Sequence, residues 1–112
     1  MDLKSRSSGS AVILELAGLF DAYVVGPVNE WLEEAAGEPP AHVVVNLSGV
    51  KFVDSTALAT LVRSMKQCRQ HGGDLHLCSL QQPVRFTFEL TRLDRAIEIF
   101  PDEEQAVRAF GD

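Results

Sequence analysis

Residues 42–80 switch between two hydrophobic periods, and that switching limits the folds open to the chain. "HVVVNL" (42–47) is a near-continuous apolar run, the pattern of a strand covered on both faces. Leu58, Leu61, Val62, Met65 and Cys68 then recur at helical spacing, with Arg63, Lys66, Gln67 and Gln70 off the stripe. Gly72-Gly73 closes that segment, and "DLHLCSL" (74–80) returns to strand-like alternation. Strand, helix and strand in succession read as a right-handed crossover between parallel strands. The stripe predicts Leu58, Leu61, Val62 and Met65 buried against the sheet, with Arg63 and Lys66 in solvent.

The flanking sequence repeats the scheme. "SAVILELAG" (10–18) predicts a strand through about Leu16, with Gly18 and Asp21 marking a turn. Gly26-Pro27 opens a helix whose apolar stripe is Val28, Trp31, Leu32 and Ala35, and Gly37 with Pro39-Pro40 ends it. Ser48-Gly49 reads as a turn, after which Phe52-Val53 resumes a buried strand. Pro83 opens a third helix, with Val84 and Phe88 four residues apart. Ile97 and Ile99 suggest a short final strand. Asp102 with Gln105 resembles a capping box, starting a last helix packed through Ala106 and Phe110. With no repeat and no long linker, the expectation is a single α/β domain over residues 1–112, a small sandwich with a largely parallel sheet.

Charge and cysteine usage narrow the function. A net charge of −6, from 16 acids against 10 Lys and Arg, opposes general nucleic-acid binding. The charge is uneven: residues 51–95 hold seven bases and four acids, and both flanks are acidic, which suits a charged protein partner. No apolar run approaches the roughly 18 residues of a transmembrane helix. The N-terminal stretch shows no signal-peptide pattern, so no membrane insertion and a cytoplasmic location are expected. Cys68 and Cys78 lack metal-ligand spacing and sit at apolar positions, as buried thiols do. His42, His71 and His76 share no spacing, and no phosphate loop or nucleophile signature occurs. No catalytic residue, metal site or cofactor is predicted, so the chain does not read as an enzyme.

What stands out is Asp54-Ser55-Thr56, at the junction between Val53 and the helix carrying Leu58. All three residue types are preferred helix N-caps, which is one sufficient reason for their presence. The junction also lies at the C-terminal end of a strand, where open α/β sheets place their sites. A hydroxyl at a helix start can carry a phosphate, because backbone N–H groups and the helix dipole stabilise the added charge. The spacing leaves both readings open.

"VVVNLSGVKFVDSTALATLVRSMKQCRQHGGDLHL" resembles the central segment of STAS domains, the sulphate transporter and anti-sigma factor antagonist family. "LAGLFD" (16–21) resembles the family's earlier Gly-x-x-Asp loop, and "PVRFTFELTRLDRAIEIF" its C-terminal helix. The resemblance implies a mostly parallel mixed sheet of four to five strands, flanked by about four helices. It makes Ser55 the phosphorylated serine, with Thr56 the second choice. Asp21, Asp54, Ser55, Thr56 and Ala57 would form the partner-binding surface. The antagonist type implies binding to an anti-sigma factor serine kinase by the unphosphorylated form, release of a sigma factor, and restoration by a PP2C-type phosphatase. Other members suggest an accessory subunit of an ABC-type lipid transport complex, toward which "DSTALATL" leans, or a scaffold subunit of a sensory assembly. A small-molecule-binding module without phosphorylation is a fourth reading. Three positions depart from the family's pattern. Ala57 replaces Gly, adding a methyl where a partner backbone would approach, and Leu19-Phe20 replaces Glu-Leu. Phe86 takes a place often held by a charged residue; a slight rotation of its helix is favoured over an exposed, partner-facing ring.

Overall fold

The structure is a computed structural model, and it describes residues 1–111. Its elements run β1 (Asp2–Ser8), β2 (Ala11–Phe20), α1 (Val25–Ala36), β3 (His42–Val53), α2 (Ser55–Gln70), β4 (Asp74–Cys78), α3 (Gln82–Leu90), a 3-10 turn (Leu93–Arg95), β5 (Glu98–Phe100) and α4 (Glu103–Arg108). The sheet order is β1-β2-β3-β4-β5, with β1 antiparallel to β2 and the remaining pairs parallel. The mixed, mostly parallel sheet with four helices is the architecture expected from the sequence.

Two strands differ from expectation. β1 has no signal in the sequence, because "DLKSRSS" holds a single apolar residue, Leu3, and is exposed along its whole length. Backbone pairing with β2 holds it, across a two-residue Gly9-Ser10 loop in which Gly9 takes φ 59, a region open to glycine at little cost. β3 does not turn at Ser48-Gly49 but runs on to Val53. Gly49 is required there by close approach: a Cβ would lie 2.7 Å from the Ala17 Cβ of the neighbouring strand. The turn expected at Gly18 is an irregularity within β2, where the register shifts and Gly18 adopts φ 115.

The main core lies between the sheet and α1, α2 and α3. Leu58, Leu61 and Met65 are buried and Arg63 and Lys66 exposed, as the stripe predicts, whereas Val62, expected buried, is only half-buried at the edge of the stripe. Gly72 ends the α2 segment with φ 78, and Gly73 is needed because a Cβ would sit 2.0 Å from the Ala41 carbonyl oxygen. In α3 only Val84 and Phe88 are buried. Phe86 is 58% exposed, so the favoured rotation is not found and the ring stands in solvent. Phe52 is also half in solvent, where a buried strand end was expected.

α4 covers part of the opposite sheet face. Ala106 and Val107 pack with Ala11, Ile13, Val44 and Cys78. Phe110 lies between two imidazoles, its ring centroid 4.5 Å from His42 and 3.9 Å from His76. The His76 Nδ1–H donates to the Ala106 carbonyl at 2.8 Å, so this histidine anchors the helix. Asp102 caps α4 by accepting from the Gln105 N–H, as the capping-box reading expects. Glu103 accepts from Arg6 and, at 3.0 Å, from Asn46. Burial alone would raise the Glu103 carboxyl, but the hydrogen bonds from these two donors outweigh it and hold its pKa below the usual range.

Both cysteines are free and have no exposed surface. Burial pushes each thiol up to about 11, with the nearby Asp74 carboxylate adding to the effect at Cys68. Iodoacetamide at pH 8 should therefore leave both cysteines unmodified in the native chain and label both in denaturant. Fast labelling of the native chain would show that the core opens. The fold holds these protons to about 11, whereas a free thiol loses its own near 9.0. This contribution to stability is thus complete below the lower value and is lost as pH climbs through the interval.

Candidate functional site

The site is built around the Asp54 carboxylate. Asp54 is extended, with φ −102 and ψ −179, and its Oδ1 accepts the Ala57 N–H at 2.9 Å. That is an N-cap, and it settles which of the three candidate residues fills the role. Oδ2 accepts the Ala22 N–H, also at 2.9 Å, from the loop between β2 and α1. The Asp54 N–H donates to the Phe20 carbonyl at 3.2 Å. One acidic side chain thus fastens the start of α2 to the loop that follows β2.

Asp21 shapes that loop. Its Oδ1 accepts the Tyr23 N–H at 3.0 Å, and its carbonyl accepts the Val24 N–H at 3.1 Å, closing a tight turn. Ala22, the next residue, is the one held by Asp54, so Asp21 lies at the same end of the sheet as Ser55. The Asp21→Asn variant keeps a side-chain oxygen for the Tyr23 N–H and should melt close to wild type. It should weaken partner binding because the charge is lost. Unfolding of this variant in far-UV CD would make Asp21 a purely structural residue.

Ser55 and Thr56 occupy the first turn of α2, and both are exposed. With Asp54 as the cap, the Ser55 hydroxyl is hydrogen-bonded to nothing among the described residues. Thr56 contributes its carbonyl, which accepts the Thr60 hydroxyl at 2.9 Å. N–H groups of a first turn have no carbonyl one turn earlier to bond. A negative charge added at Ser55 therefore meets the positive end of the helix dipole.

Ala57 differs from the expectation that its methyl meets a partner. It has no exposed surface and packs in the main core. The methyl points inward because Asp54 holds the Ala57 N–H, which fixes the rotation of the first turn. Three apolar side chains were not singled out as binding residues: Leu19 is 55% exposed, Tyr23 96% and Phe52 50%. Leu19 and Phe52 are register partners on adjacent strands. Leu19 stands where the resemblance to STAS domains implies a Glu, and that departure is the available signal. Among the described residues, no group of three or more His, Cys, Asp or Glu could hold a metal.

The family whose model matches the chain is described as the STAS domain, and the match spans residues 2–106. The anti-sigma-B factor antagonist of Listeria monocytogenes is 32% identical over 99 residues, covering 88% of this chain and 86% of that protein. A crystal structure of a putative anti-sigma factor antagonist from Thermotoga maritima superposes with a TM-score of 0.90 at 22% identity, covering 98% of this chain and 95% of that one. The Bacillus cell fate determinant SpoIIAA, solved in its phosphorylated form, superposes with a TM-score of 0.73 at 18% identity, over 96% of this chain and 99% of that one. At these identities the two structural likenesses show the fold alone.

Proposed function

The chain belongs to the STAS domain family, and from that premise we propose that it is an anti-sigma factor antagonist switched by phosphorylation at Ser55. The observation that carries this reading is the division of labour at the junction. Asp54 caps the helix and ties down the loop, which leaves the Ser55 hydroxyl exposed and without a structural task. A phosphate there adds between one and two negative charges, about −1.5 to −2 at neutral pH, on a surface that keeps its shape. Binding can therefore change without the fold changing.

In this reading the unphosphorylated chain binds an anti-sigma factor serine kinase and so frees a sigma factor. The kinase phosphorylates Ser55 and ends the contact, and a PP2C-type phosphatase resets it. The chain is then a substrate and a binding module, not an enzyme, and it works in the cytoplasm on a protein partner with no direct nucleic-acid contact. The binding surface comprises Asp21, Asp54, Ser55 and Thr56, within a single domain. The transporter-accessory alternative rests on the stretch "DSTALATL"; the relatives named as anti-sigma factor antagonists favour the antagonist reading over it.

The test is incubation with ATP and the anti-sigma factor kinase of the same genome, followed by phosphosite mapping and calorimetric titration. Phosphate on Ser55, with binding by the unmodified chain, is the expected result. Phosphate on Thr56 alone would move the switch by one residue. Neither phosphate nor binding would overturn the reading.

A further inference from the structure

A groove of about 500 Å³ runs along α2, with Ser55 at one end. Leu58, Val62 and Leu93 form an apolar floor, and Arg63 and Lys66 stand along it. We infer that this groove docks an acidic amphipathic helix of the anti-sigma partner, through apolar side chains on the floor and carboxylates on Arg63 and Lys66. The inference rests on the antagonist reading and adds the chemistry of the contact.

Charge is the first argument. The chain carries a net −6, yet residues 55–70 contain three bases and no acid. Arg69 is already paired with Asp74 at 2.9 Å. Neither Arg63 nor Lys66 has an acidic partner among the described residues; the Arg63 guanidinium donates only to the Asn29 Oδ1 at 3.5 Å. Two unpaired cations over an apolar floor complement a helix with Leu-like residues on one stripe and Glu or Asp beside it. The same two cations are too few for a phosphate backbone, given the overall negative charge.

The position of Ser55 is the second argument. A phosphate at the end of the groove repels an acidic occupant and would hold a basic one. Release on phosphorylation therefore calls for an acidic partner segment. Charge pairs at the edge of such a groove set the association rate and its salt dependence, while the buried apolar contacts hold the complex together.

Two probes test this. The first is a synthetic amphipathic peptide with Leu at helical spacing and Glu elsewhere, compared with a twin carrying Lys in place of Glu. Titrated into the isotopically labelled chain, the Glu peptide should move amide signals of α2 and Leu93, and the twin should not. Equal binding of the twin, or shifts confined to other elements, would overturn the inference. The second probe is the anti-sigma factor kinase, titrated against wild type, Ser55→Asp and the double variant Arg63→Glu, Lys66→Glu. The double variant should bind at least tenfold more weakly, melt like wild type, and lose most of the salt dependence. If the kinase releases Ser55→Asp but binds the double variant as tightly as wild type, the groove assignment fails and the antagonist reading stands. If it does not bind wild type at all, the antagonist reading fails and takes the partner assignment with it. A homodimer of the wild-type chain that the double variant dissolves would give the groove to a second copy and overturn the proposal.

Discussion

Replacing Ser55 with Asp is expected to weaken binding to the anti-sigma factor kinase at least tenfold, about 1.4 kcal/mol, while Ser55→Ala binds like wild type. The two substitutions differ by a charge at a position where the free chain tolerates either. Asp54, not Ser55, supplies the cap, so the loss of about 0.5–2 kcal/mol that follows removal of a capping side chain should not appear in Ser55→Ala. Ser55→Asp places a carboxylate at the positive end of the α2 dipole, which holds or slightly raises stability. In the proposed complex the same carboxylate would have to shed water against a surface that accepts a neutral hydroxyl. Calorimetry on both variants reads the affinity, and thermal melting reads the fold. Equal affinity for the two variants, with no phosphate on the wild type, would reduce Ser55 to an ordinary first-turn residue.

Leu61→Ala should lower stability by roughly 2–5 kcal/mol, the range for deleting a buried leucine side chain. Leu61 has no exposed surface and sits in the main core among Leu58, Met65 and the sheet residues Val43 and Val45. The lost methyl groups leave a cavity whose walls belong to an ordered sheet and a helix of 16 residues, so little collapse is available. Val62, one position on, is only half-buried, and Val62→Ala should cost distinctly less. Urea denaturation of both variants measures the pair. A Leu61→Ala chain melting within a degree of wild type would mean that α2 is rotated about its axis from the orientation described.

The α2 stripe, its glycine stop and the crossover between β3 and β4 were legible because each is a one-dimensional pattern with one physical solution. α3 was legible as a helix with Val84 and Phe88 four residues apart, but the exposure of Phe86 on it was not, for a definite reason. "QPVRFTFEL" holds two apolar pairs at helical spacing, Val84 with Phe88 and Phe86 with Leu90, and either could face the core. The burial of the first pair is decided by neighbours distant in sequence, and Phe86 and Leu90 are left 58% and 67% exposed. β1 carries no apolar alternation, so only the partner strand specifies it. Gly49 gave a false turn signal because glycine serves close approach as well as chain reversal, and a single sequence does not separate the two uses. At the site, Asp54, Ser55 and Thr56 were all recognised, but three adjacent cap-forming residues do not reveal which one caps. The two hydrogen bonds of Asp54 do.

The sheet grows in chain order, each strand joining the edge its predecessor left, so no strand has to enter between two already in place. A nascent chain emerging at about 5–20 residues per second can therefore lay down β1 to β4 as they appear, with α1 and α2 closing one face on the way. The other face waits for α4, and until then Ile13 and Val44 have no cover. Ribosome-bound chains stalled after Cys78 should already resist protease across β2 and β3 while binding a hydrophobic dye more strongly than the finished protein. Early digestion of those strands would rule out this order of assembly. Six helical residues and one phenylalanine ring thus decide whether a sheet that is nearly complete stays dispersed or sticks to its neighbours on the polysome.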